Sequence, residues 1–330
     1  MFIVLTVLSV FCASLPMLGF LLLIWWLDRH EREPVWLFGL TFCWGAIAAV
    51  GFALVGSELL MMPLRWGLGA TLAEQYSAVL VAPLVEEPSK ALVLFAVMQS
   101  RHFDNATDGF VYGAAAGLGF GMTENFLYFT SAASSGDALG WMSTVVIRTF
   151  YSALMHGGAT SCVGAMLGFA RFRSWGWKLA ALPLGFGAAM GMHALWNGLL
   201  TLDALRGGGQ LYTSINFAIF PLELFALLGV FQLALWDERA TIRRELADEV
   251  RAGLLPLKDA VAIASYLRRS RREWVPPGVP QWPYIRAVTR LAFRKHQCRN
   301  STGARHRLYA EDVLRLRREI GALQALAKVR

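Results

Sequence analysis

The residues of this chain that could do chemistry sit where charge is costly. The stretch VAPLVEEPSKALVLFAVM (81–98) places Glu86, Glu87 and Lys90 inside an apolar run. On a helix Glu86 and Lys90 are i,i+4 and Glu87 is i,i+3 from Lys90, so the lysine can neutralise one carboxylate and leave the other to accept protons. Glu124 follows in GLGFGMTENFLY with Asn125 beside it, Arg148 and His156 share a later apolar segment, and His193 and Asn197 stand i,i+4 in MHALWNG. Paired carboxylates beside histidines are what water activation requires, with or without a metal ion. Pro88 lacks an N–H, which removes the helical partner of the Leu84 carbonyl and predicts a kink next to the glutamates.

The elements that must position these groups are membrane helices. Hydrophobic residues make up 56% of the 330, charged residues 16%, and the mean hydropathy is +0.45, outside the balance of a soluble domain. Phe2 to Leu27 carries no charge and is long enough to cross ~30 Å of hydrocarbon at ~1.5 Å per residue. It has no basic n-region and is too long for a cleaved signal. Similar segments at 35–57, 76–98, 107–130, 140–170, 177–201 and 211–236 predict an all-α polytopic bundle of about seven transmembrane helices. Residues 58–75, with Glu58, Pro63, Arg65 and Glu74, are expected to form an outer loop or an interfacial helix.

With the N-terminus outside, Arg29, Arg32, Arg101, Arg171, Arg173 and Lys178 fall on inner loops or span ends, and only Arg65 and Arg206 on outer ones. That bias obeys the positive-inside rule. It divides the chain into a transmembrane domain, 1–236, and a basic cytoplasmic helical domain, 237–330. The latter has 21 Lys and Arg against 10 Asp and Glu, more than the whole chain's net +8. Helical periodicity is expected at 237–253, 256–270, 284–297 and 309–328, interrupted by WVPPGVPQWP (274–283). Its RRSRR run (268–272) reads first as inner-face charge attracted to membrane lipid, ahead of nucleic acid, for which no partner is expected. Cys12, Cys43, Cys162 and Cys298 show no paired spacing and so suggest neither a disulfide framework nor a Cys-type zinc site.

Each intramembrane charge costs ~2.5–3.5 kcal/mol near a helix centre, so each needs a reason. Counted from the expected span ends, Glu86, Glu124, His156 and His193 lie roughly six to fourteen residues from the outer side. Four residues spread along more than 100 positions thus share one layer. The same charges could form the proton path of an ion-coupled transporter or channel. Against that reading, they gather at one depth and the chain shows no internal repeat. A catalytically dead scaffold for single-pass helices would not need the polar cluster. Glu223, alone in FPLELFALL, reads as a packing residue, and Asp108 and Tyr112 as a helix start and its packing.

The ordered set EEPSK (86–90), DGFVYGAAAGLGFGMTEN (108–125), Arg148 to His156 and HALWN (193–197), with DRHEREP (28–34) after the first span, resembles the PrsW family of bacterial intramembrane proteases. That family is related to the CAAX-prenyl endopeptidases. The resemblance covers roughly residues 20–200. It implies cleavage of a peptide bond in or near a transmembrane segment, in the bacterial plasma membrane. The implied substrate is a single-pass membrane protein such as an anti-sigma factor, cut on its outer side. It also implies that Glu86, aided by Glu87, activates water, that Phe120 to Glu124 forms the second motif, and that His193 with Asn197 holds the oxyanion. The chain departs from the prenyl endopeptidases in having Lys90 for arginine and Glu124 for histidine. Two arrangements of the site stay open. Glu124, His156 and His193 could bind zinc with a fourth position left for water. Alternatively, in a metal-free site, Glu86 is the base, Glu124 relays the proton, and His193 with Asn197 stabilises the intermediate. Lys90, Asn125 and Arg148 support either one.

Overall fold

The computed structural model describes residues 1–28 and 30–328; Arg29, counted above as an inner-loop charge, lies outside the described residues. All regular structure among them is helical. The apolar part comprises α1 (Phe2–Leu27), α2 (Val35–Leu68), α3 (Ala70–Tyr76), α4 (Ala82–Val97), α5 (Ala106–Ser134), α6 (Ala138–Ala170), α7 (Trp175–Leu205) and α8 (Leu211–Arg251). Single π-helical turns interrupt α2 at Trp44–Ala49 and α6 at Arg148–Ser152, and a third, Ser77–Val81, joins α3 to α4.

Five of these helices, α1, α2, α6, α7 and α8, are long and apolar enough to cross a bilayer. The chain is therefore a multi-pass membrane bundle. The segments expected as third and fourth spans are the least like free-standing lipid-facing helices. One is divided among α3, a π-turn and the 16-residue α4, and the other is α5, buried almost continuously from Ala106 to Gly121. A helix surrounded by other helices needs small residues and satisfied charges rather than an apolar coat. Residues 58–75 are helical and not a loop. They complete α2 and form α3, and Arg65 reaches Glu58 at 3.2 Å and Glu74 at 2.9 Å across that turn. The helical hydrogen-bond pattern continues through Pro88, and the Ser77–Val81 π-turn lies on its N-terminal side.

A ladder of glycines brings α5 against α6. A Cβ on Gly109, Gly113 or Gly117 would run into the backbone of Gly164, of Thr160 and Ser161, or of His156 and Gly157. This i,i+4 series holds the two helices at backbone contact, and it puts His156 beside the face that carries Glu124. Gly119, on another face of α5, packs on Phe42 and Ala46 of α2. The start of α5 is a capping box, in which Asn105 and Asp108 bond each other's backbone N–H groups.

The chain forms two compact units, residues 1–27 with 33–232, and residues 28–32 with 233–330. The second contains the end of α8 followed by α9 (Leu257–Ile263), α10 (Tyr266–Arg269), α11 (Gln281–Arg299) and α12 (Gly303–Ala325). The helix expected at 256–270 is split because Ser265 is extended, at φ −106° and ψ 114°. Pro283 falls in the first turn of α11, where its missing N–H leaves nothing unpaired. The core of this unit is built on Ile242, Leu246, Tyr284, Val288, Leu291 and Ile320. Residues 28–32 belong to it through His30, whose Nδ1 lies 2.8 Å from Glu238 Oε2, and Glu31, which accepts from Arg290 Nε at 2.8 Å. Burial pushes the Glu249 carboxyl up, but hydrogen bonds from Arg317 and Lys295 outweigh it and hold the group below the usual carboxylate range.

Candidate active site

Lys90 is the hub of the cluster. It is fully buried, and its Nζ lies 2.8 Å from Glu87 Oε1, 3.3 Å from Glu86 Oε2 and 2.9 Å from His156 Nδ1. The Phe120 ring centre is 4.1 Å away. A lysine ammonium has only donors, so His156 Nδ1 accepts and its proton is assigned to Nε2, which donates to Glu124 Oε2 at 2.6 Å. Glu124 Oε2 is also 2.7 Å from Arg148 Nη2. Arg148 in turn donates from Nε to Asn125 Oδ1 at 3.2 Å and stacks 3.6 Å from the centre of the Tyr128 ring. The π-turn Arg148–Ser152 carries this arginine, and such turns recur where a side chain must be re-aimed.

On α7, His193 presents Nδ1 to Glu87 Oε1 at 2.8 Å. By the same logic Nδ1 carries the proton and Nε2 is a bare acceptor, which lies 3.9 Å from Glu86 Oε2. The two adjacent glutamates are therefore unlike. Glu87 has no exposed surface and is engaged by Lys90, His193 and, at 3.2 Å, the Thr160 hydroxyl. The Glu86 side chain is 15% exposed and accepts one long hydrogen bond, from Lys90. Thr160 was not singled out from the sequence. Its only signal there is a hydroxyl among the small residues GGATS, one helical turn after His156.

Among the described residues, the donor atoms of Glu86, His156 and His193 lie within 4.8 Å of one another. The carboxylate grouped with the two histidines is thus Glu86 rather than Glu124, which sits behind His156 on the Arg148 side. Two imidazoles and a carboxylate suit zinc. Glu87 on His193 Nδ1 is the kind of contact that orients a ligating imidazole. Binding an ion there would require Lys90 to release His156 Nδ1, because that nitrogen has a single lone pair and Nε2 is engaged by Glu124.

Asn197 is one turn beyond His193, but its Nδ2 donates to the Ala78 carbonyl at 2.8 Å, inside the π-turn that precedes α4. That bond ties α7 to the helix bearing the glutamates. Asn197→Ala should leave a carbonyl unpaired, at a cost of about 1–3 kcal/mol, and should lower the thermal midpoint of the purified protein together with its activity. Activity lost at an unchanged midpoint would place Asn197 at the reacting group instead.

A family model described as PrsW family intramembrane metalloprotease matches residues 33–226, a range that includes every residue of the cluster. The chain is 34% identical over 105 residues to Protease PrsW of Clostridioides difficile (strain 630), an alignment covering 32% of this chain and 43% of that relative. It is 26% identical over 198 residues to Protease PrsW of Bacillus subtilis (strain 168), covering 58% of this chain and 81% of the relative. The corresponding protein of Oceanobacillus iheyensis is 27% identical over 201 residues, 58% of this chain and 83% of the relative. No solved structure matches the chain.

Proposed function

Because this chain belongs to the PrsW family of intramembrane metalloproteases, we propose that it hydrolyses a peptide bond in or near the transmembrane segment of a single-pass membrane protein, of the anti-sigma-factor kind. The cut falls on the outer side of a bacterial plasma membrane, and residues 237–330 lie in the cytoplasm, as the shared depth of the ionisable residues and the charge bias of the loops suggest.

The observation that carries the mechanism is the pair of underused acceptors, Glu86 Oε2 and His193 Nε2, 3.9 Å apart in a cluster whose other members are paired. One water can donate a proton to each at about 2.8 Å, which leaves its lone pairs aimed away from both. Glu86 takes the proton as that oxygen attacks the scissile carbonyl, and then returns it to the leaving amine. Glu87 holds the His193 tautomer and so is a positioning residue, supported by Thr160 and Lys90. Glu124 and Arg148 set the orientation of His156. Where zinc is bound, Glu86, His156 and His193 are its holders, and it would supply Lewis-acid polarisation and a more acidic water.

New peptide N-termini in host membranes, compared between cells with and without the chain, test the activity. Termini near the outer ends of single-pass helices should appear only when the chain is present. Identical terminal maps, together with ion flux through reconstituted liposomes, would favour a transporter. If zinc is required, the purified protein should contain about one equivalent of it. His156→Ala and His193→Ala should lose it, and Glu124→Gln should retain it. A native preparation that cleaves without metal would leave Glu86 acting alone.

A further inference from the structure

The strongest feature outside the cluster is a basic and apolar surface on the tail unit. Residues 266–286 contain five arginines against one carboxylate, Glu273. Arg268, Arg271, Arg272 and Arg286 are exposed and have no carboxylate partner among the described residues. The same segment carries Leu267, 73% exposed, and Trp282, 56% exposed. Trp282 and Arg286 are i,i+4 on the open face of α11. The Gln281 side chain donates to the Arg269 carbonyl at 2.9 Å and the Arg271 carbonyl at 3.0 Å, which pins the arginine turn to the start of α11. Arg269 itself is buried and bonds the His30 carbonyl at 3.3 Å. The surface is therefore preformed, and little ordering remains to oppose binding.

We propose that Leu267, Arg268, Arg271, Arg272, Trp282 and Arg286 form a docking surface for anionic phospholipid headgroups. Guanidinium groups pair with phosphate in two-point geometry, while an exposed leucine and tryptophan enter the headgroup/acyl boundary, as in interfacial anchors. A nucleic acid backbone would satisfy the arginines but leave Leu267 in water, so the apolar component selects a lipid surface. The bundle already places the chain in a membrane, which makes the local concentration of headgroups high. This inference does not depend on the protease reading.

The test uses the full chain in nanodiscs of phosphatidylcholine alone, or of phosphatidylcholine with phosphatidylglycerol, followed by amide hydrogen exchange. Exchange across 265–286 should slow by about fivefold or more in the anionic discs, and the protection should disappear in R268E/R271E/R272E. Salt at about 0.5 M should remove it as well. Unchanged exchange in the rest of α11 shows that the variant is folded. A second variant, Leu267→Ser with Trp282→Ser, alters no charge and should lose part of the protection. Equal exchange in the two discs would overturn the proposal, as would protection produced by single-stranded DNA in neutral discs but not by phosphatidylglycerol.

Discussion

Glu86→Gln should lower cleavage by about 10²–10⁴-fold, the range lost with a positioned general base, while the protein stays folded. Glutamine keeps the shape of the side chain and can still accept the 3.3 Å hydrogen bond from Lys90, but it cannot take up the water proton. Lys90 keeps its 2.8 Å contact with Glu87, so no buried charge is stranded by the change. Glu87→Gln should behave differently, because Lys90 and His193 both lean on Glu87. It should reduce stability and activity together. The assay is the initial rate on a purified single-pass substrate, with the thermal midpoint measured on the same preparation. A Glu86→Gln protein that cleaves at the native rate removes Glu86 from the role of base.

Lys90→Met should produce the largest loss of stability, about 3–5 kcal/mol, as expected when one partner of a buried ion pair is removed and the other keeps its charge. Lys90 has no exposed surface, and among the described residues it is the only ammonium beside Glu86, Glu87 and His156. The double variant Lys90→Met with Glu87→Gln should regain much of that stability, since it removes the stranded carboxylate too, yet remain impaired in cleavage because His193 then rests on a neutral amide and Glu86 has lost its partner cation. Equilibrium unfolding of the two single variants and the double closes the cycle. A Lys90→Met protein as stable as the native one would show that the ion pair does not hold α4 in place.

Several features were legible in the residues alone because the forces behind them are local. An uncharged run of 26 residues must be helical in lipid, since backbone groups there find no water, and α1 spans Phe2–Leu27 as the apolar run does. The i,i+3 and i,i+4 contacts of Lys90 with the two glutamates follow from helix geometry without reference to the rest of the chain. Other features depended on packing between segments far apart in sequence. Two neighbouring glutamates differ by about 100° around a helix. Which one is sealed against His193 and Thr160, and which keeps a free lone pair, depends on where α6 and α7 lie. The same applies to Asn197, whose amide is directed to a carbonyl near a π-turn that no residue type announces. It applies also to residues 28–32, which join a unit built mainly from residues more than 200 positions later. Apolar length and residue spacing therefore determined the helices and the group of ionisable residues. Only the close approach of α5 to α6 through their glycines, and of α7 to α4, decided which carboxylate faces which imidazole, because that pairing is set by which helix faces meet and not by any property of one segment.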